Sequence, residues 1–270
     1  MGWVAPHLTG GLGNRLFQFA SAAGLAEKWN REAIFFLPRC GETSHGDFSN
    51  IFKLFPQNRI VESEAEWEVL LEPQSSMYRF VPFPDTPIQG NAVIQGWRQS
   101  EKYFPKDGIH LAFENVLSKE RLESLTRSSP EQTWFLHVRL GDYKILPHHQ
   151  VDLRKYYVKC LSQIPRGSTL CFFSDEPELC AEAFRGPCAQ LGLVFEIFQS
   201  RDEVESLYAM SQCKGGAIVA NSTFSWWGAY LAHQGAPSTF RAFYPTEWGK
   251  KMPPPVDIIP AWGTAVDVED

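Results

Sequence analysis

Three hydroxyl side chains, Ser222, Thr223 and Ser225, cluster just after the short apolar run Ala217–Ala220. The run reads as a buried strand, and Phe224, Trp226, Trp227, Ala229, Tyr230 and Leu231 read as an apolar helix that starts at the hydroxyls. Strand, polar turn and helix N-terminus together can bind an anion. The first backbone N–H groups of a helix lack intrahelical partners, and the helix dipole favours negative charge there. A capped helix with an aromatic core face is the alternative, because Ser and Thr are ordinary N-caps. Asn221-Ser222-Thr223 also matches the N-glycosylation pattern, but a turn between a buried strand and a buried helix is hard to reach.

Three more clusters have chemistry-bearing types at short spacing. In His137-Val138-Arg139-Leu140-Gly141-Asp142-Tyr143, strand alternation sends His137 and Arg139 to the same side. The planar Arg139 guanidinium suits a phosphate bidentately; an Arg139–Asp142 ion pair pinning a turn is the alternative. In Phe173-Ser174-Asp175-Glu176, Asp175 can accept from a ribose hydroxyl or cap the next helix. In Gly10-Gly11-Leu12-Gly13-Asn14, the glycines, Gly11 among them, let a ligand approach the backbone, and Asn14 can cap a helix starting at Arg15. The dinucleotide fingerprint is incomplete here, since Leu16 stands where its third glycine belongs.

The elements that must hold these clusters alternate. Strands are expected at Val4–Leu8, Ala33–Leu37 and Ala92–Gln95, with polar helices near Ser63–Leu71 and over Leu111–Leu125. Beyond the Pro- and Ser-containing stretch Arg127–Glu131, strands at Trp134–Val138, Leu170–Phe173, Leu193–Phe198 and Ala217–Ala220 alternate with helices at Leu153–Ile164, Pro177–Phe184, Glu203–Met210 and Phe224–His233. The tail after Pro245 is proline-rich and expected to wrap the surface. This rhythm predicts βαβ units and parallel sheets. The division is read as residues 1–128 and 129–270, two α/β halves with a cleft between them. Every polar cluster falls at the end of a strand, where such sheets bind ligands.

Composition narrows the partners. The net charge is −6, which argues against nucleic acid and makes any anion site depend on local positive charge. No apolar run approaches the roughly 20 residues of a membrane span, and no signal peptide is read at the N-terminus, so a cytoplasmic protein without a stable membrane anchor is expected. The six cysteines show neither a CxxC pair nor metal-ligand spacing and read as buried apolar residues in a reducing compartment.

Taken together, Gly-Gly-Leu-Gly-Asn-Arg-Leu-Phe-Gln-Phe-Ala (10–20), Gln-Gly-Trp-Arg-Gln-Ser-Glu-Lys-Tyr-Phe (95–104), His-Val-Arg-Leu-Gly-Asp-Tyr (137–143), Phe-Ser-Asp-Glu (173–176) and Asn-Ser-Thr-Phe-Ser-Trp-Trp-Gly-Ala (221–229) resemble the α-1,2-fucosyltransferases, in that family's order and over nearly the whole chain. The resemblance implies a GT-B-like α/β fold of two Rossmann-like halves, with GDP-fucose held mainly by the second and the acceptor by the first. It implies an inverting transfer of fucose from GDP-β-L-fucose to a glycan hydroxyl, in an α-1,2 linkage to galactose. Arg139 would hold the pyrophosphate and His137 would lie against the nucleotide. Ser222, Thr223 and Ser225, with Phe224 beside them, would bind phosphate, and Asn14 would reach across from the first half. Asp142, His148 and His149 are the candidates for a base. Neither metal nor cofactor is expected, since there is no Asp-x-Asp and Arg139 can take a cation's role.

The chain departs from the family pattern at Arg15, usually Gln, at Glu176, usually Asp, at Lys214-Gly215, where a Lys-His pair is usual, and at Ser206, where an Asp is usual. Glu205 is the carboxylate left near that last position to read a guanine. Three other readings stay open: a same-fold transferase of another linkage, a silent GDP-sugar or glycan-binding module, and a Rossmann oxidoreductase.

Overall fold

Trp-Val-Ala-Pro is apolar and short, and it forms β1 (Trp3–Pro6), buried along its length. The structure, a computed structural model, describes residues 2–40, 47–63, 65–73 and 78–269. These fall into two compact units, Met1–Val116 with Pro255–Pro260, and Leu117–Pro254 with Ala261–Asp270.

In the first unit β1 is followed by α1 (Leu12–Lys28), β2 (Glu32–Ala33), β3 (Phe35–Phe36), α2 (Ser49–Leu54), β4 (Ile60–Val61), β5 (Trp67–Leu71) and β6 (Asn91–Gln95). The main sheet runs β2-β1-β6-β5, all parallel. A separate ribbon pairs β3 with β4. Leu16, Phe19 and Ala20 of α1 are fully or almost fully buried, and Phe19 stacks on Phe35 with ring centroids 4.3 Å apart. The expected helix near Ser63–Leu71 is corrected: Trp67–Leu71 is the edge strand β5, in register with β6 from Trp67↔Asn91 to Leu71↔Gln95. Pairing with a neighbouring strand overrides the weak helical pattern of that stretch. Glu64 lies outside the described residues. Helix over Leu111–Leu125 is likewise confined to a 3-10 turn at Phe113–Asn115 and to α3 (Lys119–Leu125).

The second unit continues with β7 (Thr133–Val138), α4 (Arg154–Leu161), β8 (Thr169–Ser174), α5 (Pro177–Cys180), α6 (Glu182–Leu191), β9 (Val194–Ile197), α7 (Glu203–Ser211), β10 (Gly216–Ile218), α8 (Thr223–Gly235), β11 (Arg241–Pro245) and β12 (Gly263–Val266). The sheet order is β12-β11-β10-β7-β8-β9, all parallel. From the central β7–β10 pair the chain winds outward in both directions, the Rossmann arrangement. One face of β7 gives Trp134, Leu136 and Val138 to a core shared with Tyr156, Leu161, Leu170 and Phe172. Tyr156 Oη shares its proton between the carbonyls of Val219 (2.7 Å), just past β10, and Phe243 (2.6 Å), in the middle of β11.

The boundary sits earlier than the composition indicates. Arg121 Nε donates to the buried Glu205 Oε2 at 2.9 Å, and Arg127 pairs with Glu196 at 2.9 Å. These ties fix α3 and the supposed linker to the second unit. The tail is also corrected. Its final stretch is β12, in parallel register with β11. Before it, Asp257 joins the first unit, accepting from the Phe80 amide at 2.7 Å and from Lys102 Nζ at 2.5 Å.

Gly24, midway along α1, is where the first unit tolerates no side chain, because a Cβ there would stand 1.9 Å from the Tyr103 carbonyl oxygen. Alanine is the better helix former by about 1 kcal/mol, yet the clash is with backbone, where overpacking costs typically about 1–3 kcal/mol. A clash this short with backbone puts the cost at the upper end of that range, so Gly24→Ala should lower stability by about 2 kcal/mol net in urea denaturation, and an unchanged midpoint would refute the packing argument.

Candidate active site

The order of the second sheet reverses between β7 and β10, and the segments that leave these two strands lie side by side. Arg139 is the first residue past β7. Its Nε and Nη2 donate to Asp142 Oδ1 at 3.0 and 2.7 Å. Its Nη1 stands 3.1 Å from Asp175 Oδ2. Asp175 also accepts from the Leu140 amide at 2.9 Å. It does not cap α5, whose N-cap is Glu176 without a side-chain bond. The helix-cap reading of Asp175 is thus replaced by a role in setting Arg139. Gly141 permits this approach, since a Cβ there would stand 2.4 Å from Asp175 Oδ2. The ion pair weighed from the sequence exists, and it leaves the Arg139 side chain 29% exposed. Glu176 pairs with Lys144.

His137, two residues back on β7, is buried, and its Nδ1 has no hydrogen-bond partner among the described residues. Burial, with a smaller contribution from the Arg139 charge, pushes its imidazole down to about 3, so it is neutral at physiological pH. Its ring lies 6.0 Å from that of Phe224.

Ser222 is the N-cap residue of α8, with extended φ −139° and ψ 125°, and its side chain makes no capping hydrogen bond. A hydroxyl at a helix start usually bonds the N2 or N3 amide; here it does not. Thr223 and Phe224 open the helix. Ser225 differs from expectation: it is fully buried and donates to the Ser222 carbonyl at 3.2 Å, which directs its proton into the turn. Asn221 is buried, and its Nδ2 donates to the carbonyls of His149 (3.1 Å) and Trp248 (3.2 Å), which removes the glycosylation reading.

The Asn221 carbonyl accepts from Tyr143 Oη at 2.9 Å, and the Tyr143 ring stacks on His149 with centroids 4.5 Å apart. These contacts bring the Arg139 loop, the Ser222 turn and His149 to one place. Burial and the neighbouring His148 lower the His149 imidazole, and its Nδ1 has no partner among the described residues. Asn221 and Tyr143 were not singled out as site residues, because a carbonyl acceptor and a stacking ring leave no signature in spacing. A cavity of about 690 Å³ opens from Arg139, Tyr143, His149 and Asn221 along Val158, Leu179 and Phe184. Its volume is in the range of small-molecule sites.

Two sequence candidates lie in the first unit. Gly11 is the N-cap of α1, which corrects the placing of Asn14 as a cap. Asn14 sits within the first turn, where its Oδ1 accepts from Gln99 Nε2 at 2.9 Å. Arg15 is fully buried, donates to the Gly10 carbonyl at 2.7 Å and lies over the Phe48 ring. Glu205 is committed to Arg121 through two hydrogen bonds, so it is not available to read a guanine. His148 gives its carbonyl to the Lys250 amide.

Comparison with known proteins agrees with this architecture. The chain is 28% identical to an α-1,2-colitosyltransferase of Escherichia coli over 92% of this chain and 93% of that one. It is 25% identical to the O-antigen biosynthesis glycosyltransferase WbnK of Escherichia coli, over 83% and 88%. Among solved structures, the fucosyltransferase NodZ from Bradyrhizobium superposes with a TM-score of 0.51 at 15% identity, covering 86% of this chain and 94% of that one. POFUT1 in complex with GDP superposes with a TM-score of 0.50 at 12% identity, covering 90% and 98%. These likenesses show a GT-B-like fold. The family model for glycosyl transferase family 11 matches residues 72–241, and the chain belongs to that family.

Proposed function

We propose that the chain is a galactoside α-1,2-fucosyltransferase that moves L-fucose from GDP-β-L-fucose to a glycan hydroxyl with inversion. The observation that carries this reading is the junction of β7 and β10. There a partly exposed arginine, a buried neutral imidazole with an unpaired nitrogen and an α-helix start without a side-chain cap stand together. The second unit would hold GDP-fucose and the first the acceptor.

In such a transfer the acceptor oxygen forms a bond to C1 of fucose as the bond from C1 to the β-phosphate oxygen breaks. Negative charge then grows on departing GDP. Donors already aimed at that charge lower the barrier most. Arg139 would supply charged donors, the first amides of α8 neutral ones, and the Ser222 and Thr223 hydroxyls further ones. Asp142 and Asp175 would hold Arg139 in position. His137 would meet the nucleotide as a neutral ring and gain a partner for Nδ1, whose burial unpaired costs about 1–3 kcal/mol. His149 is the better base of the candidates: its lowered affinity keeps it unprotonated near neutral pH, while Asp142 is engaged by Arg139. No metal or cofactor enters this scheme, because a guanidinium can meet the charge of the leaving diphosphate.

A second reading has one observation in its favour, the relative named as an α-1,2-colitosyltransferase. It shares the linkage and differs in the sugar. GDP release from GDP-fucose and from GDP-colitose, with β-galactoside acceptors, separates the two. The fucose reading expects acceptor-stimulated release faster with GDP-fucose and changed less than twofold by EDTA. Faster release with GDP-colitose would move the assignment to the second reading, and no release from either sugar would end both.

Arg139→Ala should lower kcat/KM for transfer by about 10²–10³-fold or more, the usual cost of removing a transition-state charge donor. Arg139→Lys should not restore it, because an ammonium cannot reproduce the planar fork. Near-normal transfer by Arg139→Ala, with the circular dichroism of the fold retained, would remove the central claim.

His137 ties stability to pH. Its folded-state value of about 3 lies below its ordinary 6.5, so the unfolded chain takes up the proton first. The contribution is complete above about pH 6.5 and is lost as pH falls toward 3. One such group gives a slope of about 1.4 kcal/mol per pH unit. Denaturation of wild type and His137→Asn between pH 4 and 6 should show the wild type losing stability more steeply by about that slope; parallel curves would contradict it.

A further inference from the structure

Trp97 stands at the mouth of the first sheet. The strand order β2-β1-β6-β5 reverses between β1 and β6, and Trp97 follows β6 as Gly10 to Asn14 follow β1. Its side chain is among the exposed large hydrophobics at 36%. A scattered surface aromatic is ordinary, but the backbone of this one is held on both sides. Gly96 has φ +131° and Arg98 has φ +50°, and the second is uncommon for a residue with a side chain. The Glu72 carboxylate accepts from the Trp97 amide at 2.6 Å and from the Arg98 amide at 3.1 Å. A Cβ at Gly96 would stand 2.2 Å from Glu72 Cβ, so only glycine admits this clamp. The Arg98 side chain is buried and lies over the Phe83 and Tyr103 rings, 4.8 and 5.5 Å from their centroids. Unfavourable backbone geometry persists where the surroundings over-determine it, and it gathers at sites that bind.

On the side of the indole that meets the Gly10 turn, the neighbours are carboxamides. A Cβ on Gly10 would be 2.9 Å from Asn14 Nδ2 and 3.5 Å from Trp97 Cζ3, so the indole and the Asn14 amide flank the same turn. Gln99 Nε2 donates to Asn14 Oδ1, which fixes the Gln99 carboxamide next to the indole. Arg15 is buried and engaged with the Gly10 and Asp47 carbonyls, and presents no charge there. An aromatic face with amides at its edge suits the C–H face and hydroxyls of a pyranose; a diphosphate would need cations. We propose that Trp97 is the stacking platform for the acceptor galactoside, with the Gln99 carboxamide bonding its hydroxyls. The inference rests on the transferase reading and extends it to the acceptor.

Lactose is the probe. Trp97→Ala should raise KM for lactose at least tenfold, with KM for GDP-fucose and Kd for GDP within twofold of wild type. Trp97→Phe, which keeps an aromatic face, should retain most of the affinity for lactose. An unchanged KM for lactose in Trp97→Ala, or an equal rise in KM for GDP-fucose, would overturn the assignment. If wild type releases GDP from neither GDP-fucose nor GDP-colitose, the transferase reading fails, and saturation-transfer NMR of lactose then tests the platform alone. Saturation of the pyranose protons by wild type but not by Trp97→Ala supports the platform; equal saturation in both, or none in wild type, refutes it.

Discussion

The adjacency of β7 and β10 is the constraint on which the second unit depends. Their register, Gly216↔Trp134 to Ile218↔Leu136, delivers Arg139 and the start of α8 to the same edge from distant parts of the chain. Tyr156 and Tyr143 hold the arrangement through backbone carbonyls, of Val219 and Phe243 for the first and of Asn221 for the second. A slip of one residue in β7 would exchange its faces, turning His137 and Arg139 toward the core that now holds Leu136 and Val138.

The carboxylates around Arg139 fit a binding role better than a purely structural one. The three side chains keep between 23% and 29% of their exposure. Asp142 and Asp175 fix the orientation of the guanidinium while leaving part of it open to solvent, where the proposed diphosphate would meet it. A fully buried triad would have made Arg139 a fixture of the core.

The second unit was largely legible in the sequence because its strands are apolar runs and its polar clusters fall at their ends. Thr133–Val138, Thr169–Ser174 and Glu203–Ser211 lie within a residue or so of expectation at each end. The first unit was less so. β5, Trp-Glu-Val-Leu-Leu, is an edge strand without strict apolar alternation, and its pairing with β6 makes it a strand. In the second unit the exception is β12, which follows a proline-rich stretch and is held by its pairing with β11. That Arg139 and Ser222 gather at neighbouring strand ends was legible by type and spacing, but their partners were not. Nothing in the spacing of Asp175 reveals that it sets Arg139 across the sheet, nor does the sequence show that Arg121 claims Glu205.

Charge balance gives the proposed site its character. One guanidinium already faces two carboxylates, so it would meet only part of a diphosphate's charge, and the chain as a whole carries a charge of −6. In the proposed scheme the remaining stabilisation would come from neutral donors: the first amides of α8 and the hydroxyls of Ser222 and Thr223. Fixed dipoles of this kind act without drawing in counter-charge and lose little to reorganisation as charge develops. In that scheme a Ser222 hydroxyl bonded to its own helix would compete with the diphosphate for the same amides, and the side chain makes no such bond.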